Sequence, residues 1–205
     1  MGNFASIFSV GPSGEDPDDE PVEHLQPEWV GPPGDELGAS LPLGAVIGRS
    51  KNAVVALRQL TGYSTGVMLD LVAAARGLRE SETNRLFHEQ HATAPEEGPP
   101  GGFLRVGVEL EDGTRASNLA DPRRLWRADR TPEGPLLMRS GGGCGSAGSN
   151  RVTMNPGYWL WPLPPPGRLR LFVERPSLDV ELSSIELDGA AIVAAAARSR
   201  PLWDA

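Results

Sequence analysis

Few residues in this chain are of types that do chemistry, and most of them stand without the company that chemistry needs. His88 and His91, in LFHEQHATAPEE, lie three apart, so on a helix they would share a face with Glu82 and Glu89 close by. Metal sites use such spacing, but a zinc site needs further fixed ligands and the chain has no HExxH. The remaining histidine, His24, sits alone among acidic residues. Cys144 is the only cysteine; a thiolate nucleophile needs a base beside it, and no histidine is near it in sequence. The run from Gly143 to Gly148 spells GxGxxG, yet a dinucleotide fingerprint must open a helix, and the RVTM that follows at 151–154 reads as strand. Glu109 and Glu111 share one face of an alternating segment, as solvated strand carboxylates commonly do. These residues predict no catalytic group, no metal and no cofactor.

Binding chemistry has better candidates. GYWLWPLPPPG, residues 157–167, puts Trp159 and Trp161 on one face of an extended segment and Tyr158 and Leu160 on the other. Such a segment is either buried on both sides or bares one face as a stacking platform for a flat ligand or sugar. Burial between two sheets is the expectation, with Pro164–Pro166 a stiff connector and Gly167 turning the chain. A detached PxxP docking peptide is disfavoured, because the prolines lie wedged between two strand-like runs. DPRRLWRADR gathers Arg123, Arg124, Arg127 and Arg130 around Trp126, a basic patch suited to carboxylate or phosphate and equally to the chain's own acids. Trp126, Trp159, Trp161, Arg123, Arg124 and Arg127 are the candidate contact residues.

The elements that must position these groups are mostly strands. NAVVALRQLTGYSTGVMLDLVAAARG, residues 52–77, reads as a hairpin about GYSTG, with Val67, Leu69, Leu71 and Ala73 on one face. FLRVGVEL alternates Leu104, Val106, Val108 and Leu110 against Arg105 and Glu109, and Asp112-Gly113 turns it back through TRASNL. PLLMR, RVTM, YWLWPL, RLRLFVER and LDVELSSIEL add extended segments; SGGGCGSAGSN is expected as a loop. Residues 79–100 are expected as a long loop with one helical turn within 82–90, and 27–44 as an irregular arm pinned by Trp29. Asp188 is placed to cap a helix through GAAIVAAAARSR, which Pro201 ends.

Composition bounds the rest. The 27 acidic residues against 19 basic ones leave a net charge of -8, which argues against nonspecific nucleic-acid binding. No run approaches the ~18 apolar residues of a membrane span, and no signal segment is evident at the N-terminus, so a soluble cytoplasmic protein is expected. Glu15, Asp16, Asp18, Asp19 and Glu20 crowd the polar segment 1–26, which is expected to be a disordered acidic tail. Residues 27–205 are expected to form one mainly β domain: an antiparallel β-sandwich of about seven to nine strands with a single C-terminal α-helix.

Taken together, PEWVGPP, the 52–77 hairpin, VGVELEDGTRASN, PLLMRSGGGCGS, YWLWPLPPPGRLRLFVERPSLDV and ELDGAAIVAAAARSRPLW resemble a family of uncharacterised actinobacterial proteins, from about Pro27 to Trp203. The resemblance implies a single domain and no assigned activity, cofactor or partner. The expected function is therefore a non-catalytic, soluble interaction module with an unknown protein partner, no nucleic acid and no membrane. A small-ligand or carbohydrate binder using exposed tryptophans is the alternative, and an enzyme of unrecognised type, drawing on His88, His91, Glu109 and the arginine patch, is the third.

Overall fold

The hairpin about GYSTG organises the first of two sheets. The computed structural model describes residues 26–89, 103–119, 131–148 and 150–203. In chain order the strands are β1 (Glu36–Leu37), β2 (Ala39–Arg49), β3 (Ala53–Gly62), β4 (Val67–Arg76), β5 (Arg105–Leu110), β6 (Arg115–Ser117), β7 (Leu136–Gly148), β8 (Arg151–Trp161), β9 (Arg168–Arg175), β10 (Val180–Asp188) and β11 (Arg200–Pro201). Helix α1 covers Glu80–Glu89 and helix α2 Gly189–Ala196. Five strands form one sheet in the order β2-β3-β4-β8-β7, four form the other in the order β10-β9-β5-β6, and β1 pairs with β11 as a separate ribbon. All the pairings are antiparallel, and the two larger sheets make a β-sandwich.

Period-two patterning builds the core. Val67, Leu69, Leu71 and Ala73 of β4 all point between the sheets and are buried, as are Leu104, Val106 and Val108 on and before β5 and Leu169, Leu171 and Val173 on β9. Leu57 and Leu71, opposed in register, are both wholly shielded from solvent. Along one side β2 crosses β10: an added Cβ at Gly48 would meet Val180 Cγ1 at 3.0 Å, so the two strands approach closely there. Helix α2 closes one end by inserting Ile192, and α1 sends Leu86 into the same core. Asp188 caps α2 by accepting a hydrogen bond from the Ala190 N–H at 2.9 Å, and Arg198 donates to the Ala194 carbonyl at 2.8 Å. Buried Asn118 ties down the sheet edge, accepting from the Val106 N–H and donating to the Leu104 carbonyl, each at 2.8 Å.

Four sequence expectations need correction. The glycine-rich block is no loop: β7 runs through it to Gly148 as an edge strand, with register shifts between Arg139 and Gly142 and between Gly143 and Ser146. Glycine permits this because a Cβ at Gly145 would strike the Thr153 carbonyl of β8, and Gly141 adopts a positive φ of 73°. RVTM and YWLWPL are one strand, β8, whose Pro156 sits opposite the irregular part of β7. The arm is irregular only as far as Asp35, since β1 and the start of β2 fall within 27–44. The polar stretch after the hairpin carries a ten-residue helix rather than a single turn; Arg79 N–H donates to Glu82 at 2.7 Å across its first turn. Residues 1–25, including the acidic run, lie outside the described residues.

Truncating Leu57 or Leu71 to alanine is expected to lower the unfolding free energy by about 2–5 kcal/mol, measured as a shifted urea midpoint with an unchanged slope.

Candidate functional site

Trp159 is the most enclosed residue of the aromatic run, with no exposed surface. It does not face the other sheet. Tyr158 and Leu160 point into the inter-sheet core, and Trp159 lies on the outer face of the five-stranded sheet, in register with Met68 on β4 and Met138 on β7. The N-terminal arm roofs it: the indole Nε1–H donates to the Glu28 carbonyl at 2.9 Å, Trp29 is buried, and the Tyr63 ring stands edge-on at 5.7 Å. The expectation that Trp159 fills the space between the sheets is therefore corrected, and so is its use as a ligand contact: a ring covered on its open face stacks nothing. Trp161, at the strand's end, is half-buried.

On the inner face burial pushes the Tyr158 phenol up to about 12, against the opposing influence of the Arg139 and Arg175 charges and of Asn118. Tyr158 is thus a neutral core group at any physiological pH. Glu109, weighed as a catalytic carboxylate, is held by Arg115 at 2.6 Å and by Arg170 at 3.7 Å on the outer face of the four-stranded sheet. Arg105 pairs there with Glu174, and Arg170 with Glu186. Trp126, Arg123, Arg124, Arg127, Arg130, His24 and His91 lie outside the described residues. His88 falls on α1 and Cys144 on β7. Among the described residues no group of three or more His, Cys, Asp or Glu could hold a metal ion, and no helix is long and apolar enough to cross a membrane.

Two surface features stand out. The first is an open cleft of about 820 Å³ between the arm, the β3–β4 turn and the C-terminal ribbon, lined by Glu28, Asp35, Glu36, Ser64, Thr65 and Arg200 among others. Glu36 clasps it: its carboxylate accepts from the Ser64 N–H at 2.8 Å and the Ser64 hydroxyl at 2.6 Å. Partial burial pulls the Glu36 pKa up, but hydrogen bonds from Ser199 and Ser64 outweigh it and hold the pKa below the usual carboxylate value. Beside this cleft the ribbon exposes Leu37, Leu202 and Trp203, the last at 75%. Leu37 opposes Arg200 in register and the Leu202 N–H donates to the Asp35 carbonyl, so Leu37 and Leu202 fall on one face of the ribbon.

The second feature is a shallow hollow of about 380 Å³ at the far end of the same hairpin, carrying Arg49, Lys51, Arg76 and Arg151 and no acidic residue. Sequence reasoning missed all of these residues, because they come from separate strands. The only early signal was the cluster Arg49-Ser50-Lys51-Asn52 at the turn into β3. No family model matches the chain, and neither a curated protein nor a solved structure matches it.

Replacing Trp159 with phenylalanine removes the donor to Glu28 and leaves a partly filled space. Limited proteolysis is expected to cut the arm between Glu28 and Asp35 faster in this variant. The Glu36 clasp adds a pH dependence. Because the folded carboxyl ionises more readily than the unfolded one, its contribution is fully present above the ordinary carboxylate range and is lost as pH falls through the folded value. Glu36→Gln is thus expected to lower Tm at neutral pH and to give a shallower decline of Tm on acidification than the parent, by thermal unfolding from pH 7 to pH 3.

Proposed function

We propose that the protein is a non-catalytic protein-interaction module of the kind the actinobacterial resemblance suggests, cytoplasmic, and that it engages its partner at the arm and C-terminal ribbon. One observation carries the reading: Leu37 and Leu202 are exposed on one face of the ribbon and Trp203, next in the chain, is 75% exposed, while every other described tryptophan is at least half-buried. A large exposed aromatic beside aliphatic neighbours is what interface hot spots are made of. The adjoining cleft carries Glu28, Asp35 and Glu36 against a single Arg200, so the occupant is an extended partner segment with apolar side chains flanked by basic ones. The Glu109 carboxylate is engaged by arginines, which speaks against the enzymatic reading built on it.

A small-ligand role is the second reading, favoured by the cleft's volume of about 820 Å³, which falls within the usual range for ligand pockets. Burial of Trp159 takes one ring from the aromatic platform of Trp159, Trp161 and Trp126 on which that reading was first built.

A photo-reactive residue at position 203, compared with one at exposed Arg58, tests the interaction reading in the native host. A discrete polypeptide adduct is expected from position 203 alone. Trp203→Ala should abolish recovery of the partner while moving stability by less than about 0.5 kcal/mol, as for other surface changes. Identical adducts from both positions, or none from 203, would overturn the reading.

A further inference from the structure

The basic hollow is a surface of a different kind from the ribbon, and it stands or falls independently of it. Arg49 ends β2, Lys51 lies in the turn to β3, Arg76 ends β4 and Arg151 begins β8. These are adjacent strands in the order β2-β3-β4-β8, and antiparallel pairing brings all four cations to one end of the sheet. By alternation Arg49, Arg76 and Arg151 point to the outer face, as do Val54 and Ala74, which floor the hollow.

Two observations make this more than a solvated edge. Arg76 and Arg151 are direct partners in the β4–β8 register, and like charges placed directly opposite each other oppose the pairing. Elsewhere the chain matches its arginines with carboxylates, as in Arg105–Glu174, Arg115–Glu109 and Arg170–Glu186. Here, among the described residues, none of the four cations belongs to an ion pair, although the chain has 27 acidic residues to choose from. Each of the four is exposed.

The dimensions select the ligand class. Three strand spacings at about 4.8 Å put roughly 14 Å between the backbones of β2 and β8, too wide a row for one phosphate or sulfate to satisfy. An extended polypeptide brings a carboxylate to the same side about every 7 Å, so a segment of four to six acidic residues spans the row with charge-assisted hydrogen bonds from three guanidinium forks. The net charge of -8 over the whole chain opposes a long polyanion.

We propose that the strand-end row Arg49, Lys51, Arg76 and Arg151 is a docking site for an extended acidic segment of a partner polypeptide, which relieves the Arg76–Arg151 like-charge pairing as it binds. The occupant is acidic, whereas the ribbon and its carboxylate-lined cleft suit a basic one, so the two surfaces do not compete.

Fluorescence anisotropy of labelled hexaglutamate with the full chain tests it. Saturable binding is expected, weakening at least about tenfold between low and physiological salt, and absent for hexaglutamine. Arg76→Gln and Arg151→Gln should each weaken hexaglutamate about tenfold, with Arg115→Gln, on the other sheet, unchanged. Both hollow variants should also raise the Tm of the unliganded protein, a result that loss of ordinary structural residues would not produce. Failure of hexaglutamate to bind, equal weakening by Arg115→Gln, or a fall in Tm for Arg76→Gln and Arg151→Gln would overturn the proposal. Displacement by inorganic pyrophosphate at equal concentration would instead define a discrete-anion site, and tighter binding of an oligothymidylate of equal charge a nucleic-acid surface; either result refutes it.

Discussion

Strand β8 is covered on both faces, and the architecture depends on how the two coverings differ. Its inner face, through Tyr158 and Leu160, meets the other sheet and joins the main core. Its outer face, through Trp159, meets no sheet at all, and a bare indole there would leave a large apolar ring in water. The arm supplies the missing layer, and the Glu28 carbonyl satisfies the one polar atom of the ring. Once the arm is held there, β1 lies where it can pair with β11, and the Leu202 N–H reaches Asp35. The arm and the C-terminal ribbon are thus tied together by the demand of one side chain for cover.

The same outer face shows two solutions to one problem. At the end near the β3–β4 turn, large residues are roofed by the arm; at the other, Ala74 and Val54 are small enough to need no roof, and cations rim the shallow floor. Stability and recognition are thereby separated along a single sheet. The roofed end contributes apolar burial, whereas the open end retains an electrostatic cost in the Arg76–Arg151 pairing that packing does nothing to offset. A fold tolerates such a cost because the rest of the sheet is held by a core running from Leu57 to Leu171.

Most charged residues follow a plainer rule. On the four-stranded sheet, Arg105, Arg115 and Arg170 meet Glu174, Glu109 and Glu186 across neighbouring strands or along the β5–β6 hairpin. Each pair is partly exposed and contributes little on its own, but together they favour one register over its one-residue slip, which would move Val106 and Val108 to the solvent side. The buried Asn118 does similar work through hydrogen bonds to β5 and its lead-in.

What the sequence determined by itself was local and periodic. Alternation in VMLDLVAA and RVGVEL named the inward faces, GYSTG and Asp112-Gly113 named the turns, and Asp188 named the helix start, because each signal is written within a few neighbouring residues. The glycine block was misjudged because a loop and a glycine strand pressed against a neighbour look alike until the neighbour is known. Whether Trp159 faced the other sheet or the arm was equally hidden, since alternation says that two residues lie on opposite faces and is silent about what covers each. The basic row belongs wholly to tertiary structure. Arg76 and Arg151 become neighbours only through the β4–β8 pairing, a contact between segments distant in the chain whose strand order no local pattern encodes.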